Sequence, residues 1–315
     1  FSETGDLGLP FRPPLYTVLL GACFRVQRPD FQTAHVVHIL LGSLIPVLAG
    51  LLARKWISGR AGLLTGWFTA LSFPMIILST TLCSEILAVL LTVPALSAAD
   101  SPRRSRQAMA GLLFGLAILT RSEMAVFAGI VVICNLLDRR IPFRRRLILP
   151  AMILVPLLCW SVRNYRVMDR VFPAAPLREK IIPVSSNGPL NFYLGNGPTA
   201  NGGYRTLIQS TDIDPTSDRL DFNRPLHRAV FYHGIQLGID HWLEHPEQIA
   251  GLMHRKERYF TRGMRTGFGL RNHPWGLRGC FRRGDIWTPE TSLPAWILMT
   301  GAILGWAVSA RRHPR

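Results

Sequence analysis

The chain is poor in acid and in cysteine, and each shortage narrows what it is. Only 19 of its 315 residues are Asp or Glu, against 36 Lys or Arg, so the net charge is +17. Of its 5 cysteines, Cys23, Cys83, Cys134 and Cys159 lie in apolar runs and Cys280 stands alone. There is no C-x-x-C, and a structural disulfide has no obvious pairing, so the cysteines read as small buried hydrophobes. No run shows the strict alternation of a membrane barrel strand. RNA-binding, zinc-finger and basic-zipper motifs are absent, as are repeats and low-complexity tracts. Nucleic acid is therefore not an expected partner despite the positive charge.

What the chain does have is a series of apolar runs, too long and closely spaced for a soluble core. Hydrophobic residues make up 48% of the sequence. The runs cover residues 15–26, 34–53, 61–78, 82–98, 108–137, 147–160 and 293–308. A helix of about 20 apolar residues crosses a hydrocarbon core of roughly 30 Å. Short basic clusters fall between the runs: Arg54-Lys55, Arg103-Arg104 with Arg106, Arg139-Arg140, Arg144-Arg145-Arg146 and Arg311-Arg312. Such clusters set orientation and meet anionic lipid. The expected fold is an all-α integral membrane protein, a multi-spanning helical bundle with a small, mostly helical extracytoplasmic domain. Residues 1–162 form the membrane module, 163–290 the extracytoplasmic domain, and 291–315 a last span with a basic tail.

Charge bias places the Arg54, Arg103, Arg139 and Arg311 clusters on one side, which requires the run 108–137 to turn back at Arg121-Ser122-Glu123. Each half is then only about 20 Å long. The reading adopted instead is one long, bent span of about 45 Å. Gly111-x-x-x-Gly115 lets two helices approach closely. In the polar part, residues 183–203 read as loop and turn. Two amphipathic helices follow, 224–243 and 246–262, the second opening on Pro246 with an apolar face of Ile249, Leu252, Met253, Tyr259 and Phe260. Residues 263–287 read as irregular.

Several groups suit chemistry. Arg12, behind Pro13-Pro14, sits at headgroup level and fits either interfacial anchoring or a lipid phosphate. Arg121 is costly inside an apolar run and needs a partner or a cavity; Glu85 is the candidate partner. Arg163-Asn164-Tyr165 and the segment from Asn187 to Asn196 bring guanidinium, amide and aromatic groups to the membrane surface, where amides and aromatic faces suit a sugar. His241-Trp242-Leu243-Glu244-His245 has the spacing of inverted zinc peptidases, but Pro246 ends the helix and no third ligand is marked.

Arg12-Pro13-Pro14-Leu15-Tyr16, Ser84-Glu85, residues 115–121, residues 160–165 and residues 191–196 occur in an order and spacing that resembles the GT-C class of lipid-linked-sugar glycosyltransferases. The nearest likeness is to bacterial enzymes similar to dolichyl-phosphate-mannose–protein mannosyltransferases. His245-Pro246 followed by an amphipathic helix is also similar. The resemblance implies a multi-pass inner-membrane enzyme that takes a sugar from a polyprenyl phosphate. Its acceptor, a lipid, glycan or protein, receives the sugar on the extracytoplasmic side. No cofactor is implied with certainty, though a divalent cation is compatible; membrane lipids are the other partners. Family members carry an acidic base in the first external loop. The chain opens on Phe1, so the first span and most of that loop are expected upstream, with Glu3 and Asp6 as weak matches to the acid. Arg12, Glu85, Arg121, Arg163, Asn164 and Asn196 are the expected substrate-binding residues. A transporter or flippase of a lipid-linked substrate, or a non-catalytic assembly subunit, are the alternatives. An acid in the upstream loop favours the enzyme.

Overall fold

The structure, a computed structural model, describes residues 10–26, 31–139, 141–203 and 225–267, with side chains in the last stretch described through Arg258. The run 293–308, Cys280, Glu3 and Asp6 lie outside the described residues. Every described element is helical, with no strand among them. Two stretches are long and apolar enough to cross a membrane: α2 (Phe31–Trp56, 26 residues), and Phe143–Val171 (29 residues). The second comprises the short α8 (Phe143–Arg146) and the long α9 (Ile148–Val171). Shorter apolar helices are α5 (Ser84–Ala99) and α7 (Met124–Leu137).

The remaining elements of the bundle are α1 (Pro14–Val26), α3 (Gly59–Ala70), α4 (Phe73–Thr80) and α6 (Arg104–Thr120). α3 and α4 replace the single helix expected over 61–78. They part at Leu71-Ser72, just before Pro74, which lacks the N–H that a continuous helix would bond. Together they retrace α2. Gly62 sits against Gly50 and Arg54, Gly66 against Pro46, and Ser79 against Gly42.

The bent-span reading of 108–137 is overturned. α6 has 17 residues and α7 has 14, and they form a hairpin around Arg121-Ser122-Glu123. The buried Asn135 near the end of α7 donates its Nδ2 to Gln107 Oε1 near the start of α6, at 3.0 Å. Only antiparallel helices bring those two positions together. Gln107 Nε2 in turn donates to Ala99 O at 2.8 Å and Ser101 O at 2.7 Å, which fastens α5 to the same end. Arg121 itself takes an extended backbone, φ −148° and ψ 120°, so the helix stops where the charge begins.

This hairpin gathers the basic clusters at one end. Lys55 lies 3.2 Å from Asp100 and donates to Ser97 O at 2.6 Å. Arg146 caps α7 by donating to Leu136 O at 2.8 Å. Arg103, Arg104, Arg106, Arg139, Arg144 and Arg145 belong to the same end by their places at the starts and ends of α6, α7 and α8. The interior between the ends combines small residues (Ala95, Ala98, Ala110, Ala117 and Ala128), the polar Gln107 and Asn135, and the large apolar Phe114, Ile118, Leu149 and Ile153, all buried. On α6, Gly111 and Gly115 face Leu149, Met152, Ile153 and Pro156 of α9 so closely that a Cβ at Gly115 would come within 2.7 Å of Ile153 O. Many other large apolar side chains point outward, including Leu40, Leu44, Val47, Leu64, Trp67, Phe68, Val126, Ile130, Leu154 and Leu158. Water would expel such a surface; a hydrocarbon solvent accepts it. Cys134 and Cys159 share that outer surface, so for them burial was the wrong expectation; among the described cysteines Cys23 is buried and Cys83 half-buried.

At the opposite end α9 continues past its contacts with α6, and the expected boundary at 162/163 falls inside it. Its last turns carry a polar cap: α10 (Leu177–Lys180), α11 (Asn187–Asn196), α12 (Pro225–Glu244) and α13 (Pro246–Gly267). α12 and α13 take up the two expected amphipathic helices, and α13 continues to Gly267, so residues 263–267 are not irregular. On α13, Leu252 is buried while Met253 is exposed; the side chains of Tyr259 and Phe260 are outside the described set. α11 corrects the expected loop at 183–203. Pro189 is tolerated in its first turn, and Gly234 and Gly238 of α12 leave a groove that receives Pro189 and Phe192. Packing against a neighbouring helix thus overrides the turn preference of Asn and Gly.

Candidate functional site

The cap is sewn to α9 by its polar residues. Asn164, fully buried, donates from Nδ2 to Ile182 O at 2.8 Å and to Val184 O at 3.3 Å. Trp160 Nε1 donates to the same Val184 O at 2.9 Å, and Ser161 Oγ donates to Pro183 O at 3.2 Å. Trp160 and Asn164, four residues apart and so on one helix face, therefore both donate to an extended strip of carbonyls. Arg163 stands on the same helix end. Its guanidinium lies 4.7 Å from the Trp160 ring centroid and donates to Asn164 Oδ1 at 3.3 Å.

The N-terminal segment meets that strip from the other side. Pro10 O accepts from the backbone N–H of Ser186 at 2.8 Å and from its hydroxyl at 3.2 Å. Phe11 packs against the cluster of Met168, Ile182 and Phe231. Arg12 follows at once, exposed, with no ion pair among the described residues. Arg12 and Arg163 thus each stand next in sequence to a residue that contacts the 182–186 segment. Asn196 does not join them. It is buried at the far end of α11, donating to Phe192 O at 2.8 Å and accepting from Lys256 Nζ at 2.5 Å. Burial without a carboxylate partner lowers the Lys256 pKa below the usual lysine range.

A second cluster sits where α5 starts and α6 ends. Arg121 Nη1 is 2.5 Å from Glu85 Oε1 and donates to Ser84 Oγ at 3.2 Å; its Nη2 is 3.2 Å from Glu123 Oε1. This guanidinium already has two carboxylates, so of the expected cations it is the least ready to take an anion. Sequence reading missed the members beside it. His38, buried in α2, sets Nε2 2.8 Å from Cys83 O and Nδ1 3.1 Å from Ser79 O. Tyr16 stacks edge-on against His38 with centroids 6.0 Å apart, and its hydroxyl is buried with no hydrogen-bond partner among the described residues. The available signal for His38 was an ionisable residue inside an apolar run; for the Tyr16–His38 contact there was none.

Among the described residues no three His, Cys, Asp or Glu side chains converge as metal ligands. His241 and His245 stack with ring centroids 4.9 Å apart at the end of α12, and α13 begins at Pro246. No family model, curated protein or solved structure matches the chain.

Proposed function

We propose that the chain is a membrane glycosyltransferase that moves a sugar from a polyprenyl-phosphate donor to an acceptor on the extracytoplasmic side. In this reading the helices cross the inner membrane several times. The basic end faces the cytoplasm, as positive loops do, and the polar cap faces outward. The outward-pointing Leu, Val, Ile and Phe side chains of α2, α3, α7 and α9 support a lipid surround. The likeness to lipid-linked-sugar glycosyltransferases in residues 12–16, 115–121, 160–165 and 191–196 supports the chemistry.

The observation that carries the proposal is the docking of Pro10 and Phe11 onto the cap, which anchors the next residue, the exposed Arg12, close to the 182–186 segment; Arg12 has no ion pair among the described residues. Sugar transfer from a lipid phosphate starts with a good leaving group. The enzyme must hold the departing phosphate with cations and deprotonate the acceptor hydroxyl. Arg12 suits the first task, since a guanidinium offers two parallel N–H donors to a phosphate. Arg163, held over Trp160, is the second cation at the same strip. Glu85 and Arg121 form the polar wall at the bundle end. The base is assigned to the acid that the family carries in its first external loop.

The test is transfer from labelled polyprenyl-phosphate sugars in membranes carrying the complete protein. Arg12→Ala is expected to reduce transfer by about a hundredfold or more, with insertion unchanged. Turnover at the wild-type rate would remove Arg12 from the site.

A further inference from the structure

We infer that the α12–α13 limb of the cap rests on the outer leaflet of the membrane, with one face of α12 in the upper acyl chains and the arginines of α13 among anionic headgroups. The inference rests on the membrane part of the preceding reading and uses none of its substrate-binding residues.

Beyond the kink at His233, α12 presents three faces. Gly234 packs on Pro189 and Gly238 on Phe192 of α11, and Trp242 lies 5.8 Å from the Phe192 ring. This face holds the helix to the cap. The second face is polar: Gln236 donates to Asp240 Oδ1 at 2.7 Å, one turn on. Ile235, Ile239 and Leu243 form the third. They recur every four residues and so line one side of the helix. Their exposures are 47%, 37% and 77%. A helix that packs only on its own domain needs a single apolar stripe. α12 has two, so the second serves another neighbour. A contiguous exposed apolar row marks an interaction surface.

Two observations select lipid as that neighbour. The first is continuity. α13 leaves the end of α12 at Pro246 and contacts α4, whose Ile76 belongs to the outward-facing apolar surface of the bundle. The limb that carries the row therefore reaches the side of the bundle that a hydrocarbon solvent covers. The second is charge. α13 holds five Lys or Arg against two Glu. Its arginines at 255, 258, 262 and 265 keep the three- and four-residue spacing of one helix face, and Arg255 and Arg258 are exposed. An apolar row joined to a basic helix is the make-up of a segment lying in the plane of a membrane, where anionic headgroups attract each Lys and Arg. A second copy of the chain is a poorer neighbour, because in a two-fold pair the same basic patch meets itself.

The cap fixes α13 in this position. Gly202, at φ +89°, brings its loop so close that a Cβ there would lie 2.8 Å from Arg255 Cβ. Only glycine takes that backbone at that distance. Lys256, next in sequence, turns the other way and donates to Asn196 Oδ1 of α11 at 2.5 Å.

The experiment places the complete chain in phosphatidylglycerol nanodiscs doped with a phospholipid that carries a diazirine near the top of its acyl chain. Carbene insertion is then mapped by mass spectrometry. Ile76 of α4 and Leu158 of α9 report the bundle surface. Insertion at Ile235, Ile239 and Leu243 is expected within about threefold of those two, and at least about tenfold above Gln236 and Asp240. In phosphatidylcholine nanodiscs the α12 signal should fall about fivefold or more, while Ile76 and Leu158 stay the same. Ile239→Asp should remove insertion at Ile235 and Leu243 in both lipids; its side chain is exposed, so circular dichroism should show the helices intact. Insertion at Ile76 and Leu158 with none on α12 overturns the inference and leaves the membrane reading standing; the row is then covered by another part of this chain or by a second copy. Insertion at neither place overturns both. Equal α12 signals in the two lipids overturn the assignment of the arginines to anionic headgroups.

Discussion

Replacing Asn164 tests whether the cap is held by the donors of α9. Asn164 is fully buried and spans two carbonyls, Ile182 O and Val184 O. Val184 O keeps Trp160 Nε1 when Asn164 is lost, so the damage concentrates on Ile182 O. A lost net hydrogen bond costs about 1 kcal/mol, and a buried acceptor left unmade adds about 1–3 kcal/mol. Asn164→Ala is therefore expected to loosen the 177–186 segment by about 3 kcal/mol, or roughly a hundredfold in its opening equilibrium. Asn164→Asp removes the amide donors at nearly constant volume, so it should open the segment at least as much; a variant that hurts only through its cavity would be spared. Trypsin reads the opening. Lys180 is buried, with Nζ 2.6 Å from Asp169 Oδ1 and 2.8 Å from Pro173 O, so cutting after it requires the segment to come away. When reclosing outruns cleavage, the cutting rate follows the open population. Cutting after the exposed Arg139, at the other end of the bundle, serves as the internal standard. A rate after Lys180 that rises less than about threefold in both variants would refute the argument.

Gln107→Leu strips three buried amide contacts from the α5–α6–α7 junction and should lower stability by about 3 kcal/mol, seen as a lower melting temperature in detergent; an unchanged melt would count against the hairpin. Gly115→Ala places a Cβ against Ile153 O and should cost about 1–3 kcal/mol in the same assay, whereas Gly129→Ala, with open space around it, should cost nothing. The Glu85–Arg121 pair keeps 40% and 30% of its side-chain surfaces exposed, so a double-mutant cycle with Glu85→Gln and Arg121→Gln should return no more than about 1 kcal/mol. For Lys256, burial lowers the folded pKa below the ordinary lysine value of 10.5. The unfolded chain then binds more protons between the two pKa values, so stability rises with pH across that window. Lys256→Met should flatten this rise in melts taken at increasing alkaline pH; a slope equal to wild type would show that the burial has no effect.

Much of the fold is written in local pattern. The apolar runs mark α2, α5 and the core of α9, and Pro246 marks the junction of α12 and α13, because a proline has no N–H to continue a helix. Charge clusters foretell which helix ends belong together. Local pattern also offered both versions of residues 108–137 and could not choose between them. The choice was made by Gln107 and Asn135, which sit 28 positions apart in sequence, and a contact of that separation leaves no trace in a short window. The same holds for α11, where glycines on α12 supplied a groove that Asn187 to Asn196 could not announce alone.

The candidate site divides in the same way. Arg12, Glu85, Arg121, Arg163 and Asn164 stand out in sequence because charge and amide groups beside apolar runs are costly without partners. Their partners are a tertiary matter: Arg121 is taken up by two carboxylates, Asn164 by the backbone of residues 182–184, Asn196 by a lysine on another helix. Composition by itself determined that this chain is helical and greasy on its outside, since hydropathy is a property of each side chain. Which cations stay unpaired depends on what the folded chain brings within about 4 Å of each, because that is the reach of an ion pair. Only the tertiary structure decided that.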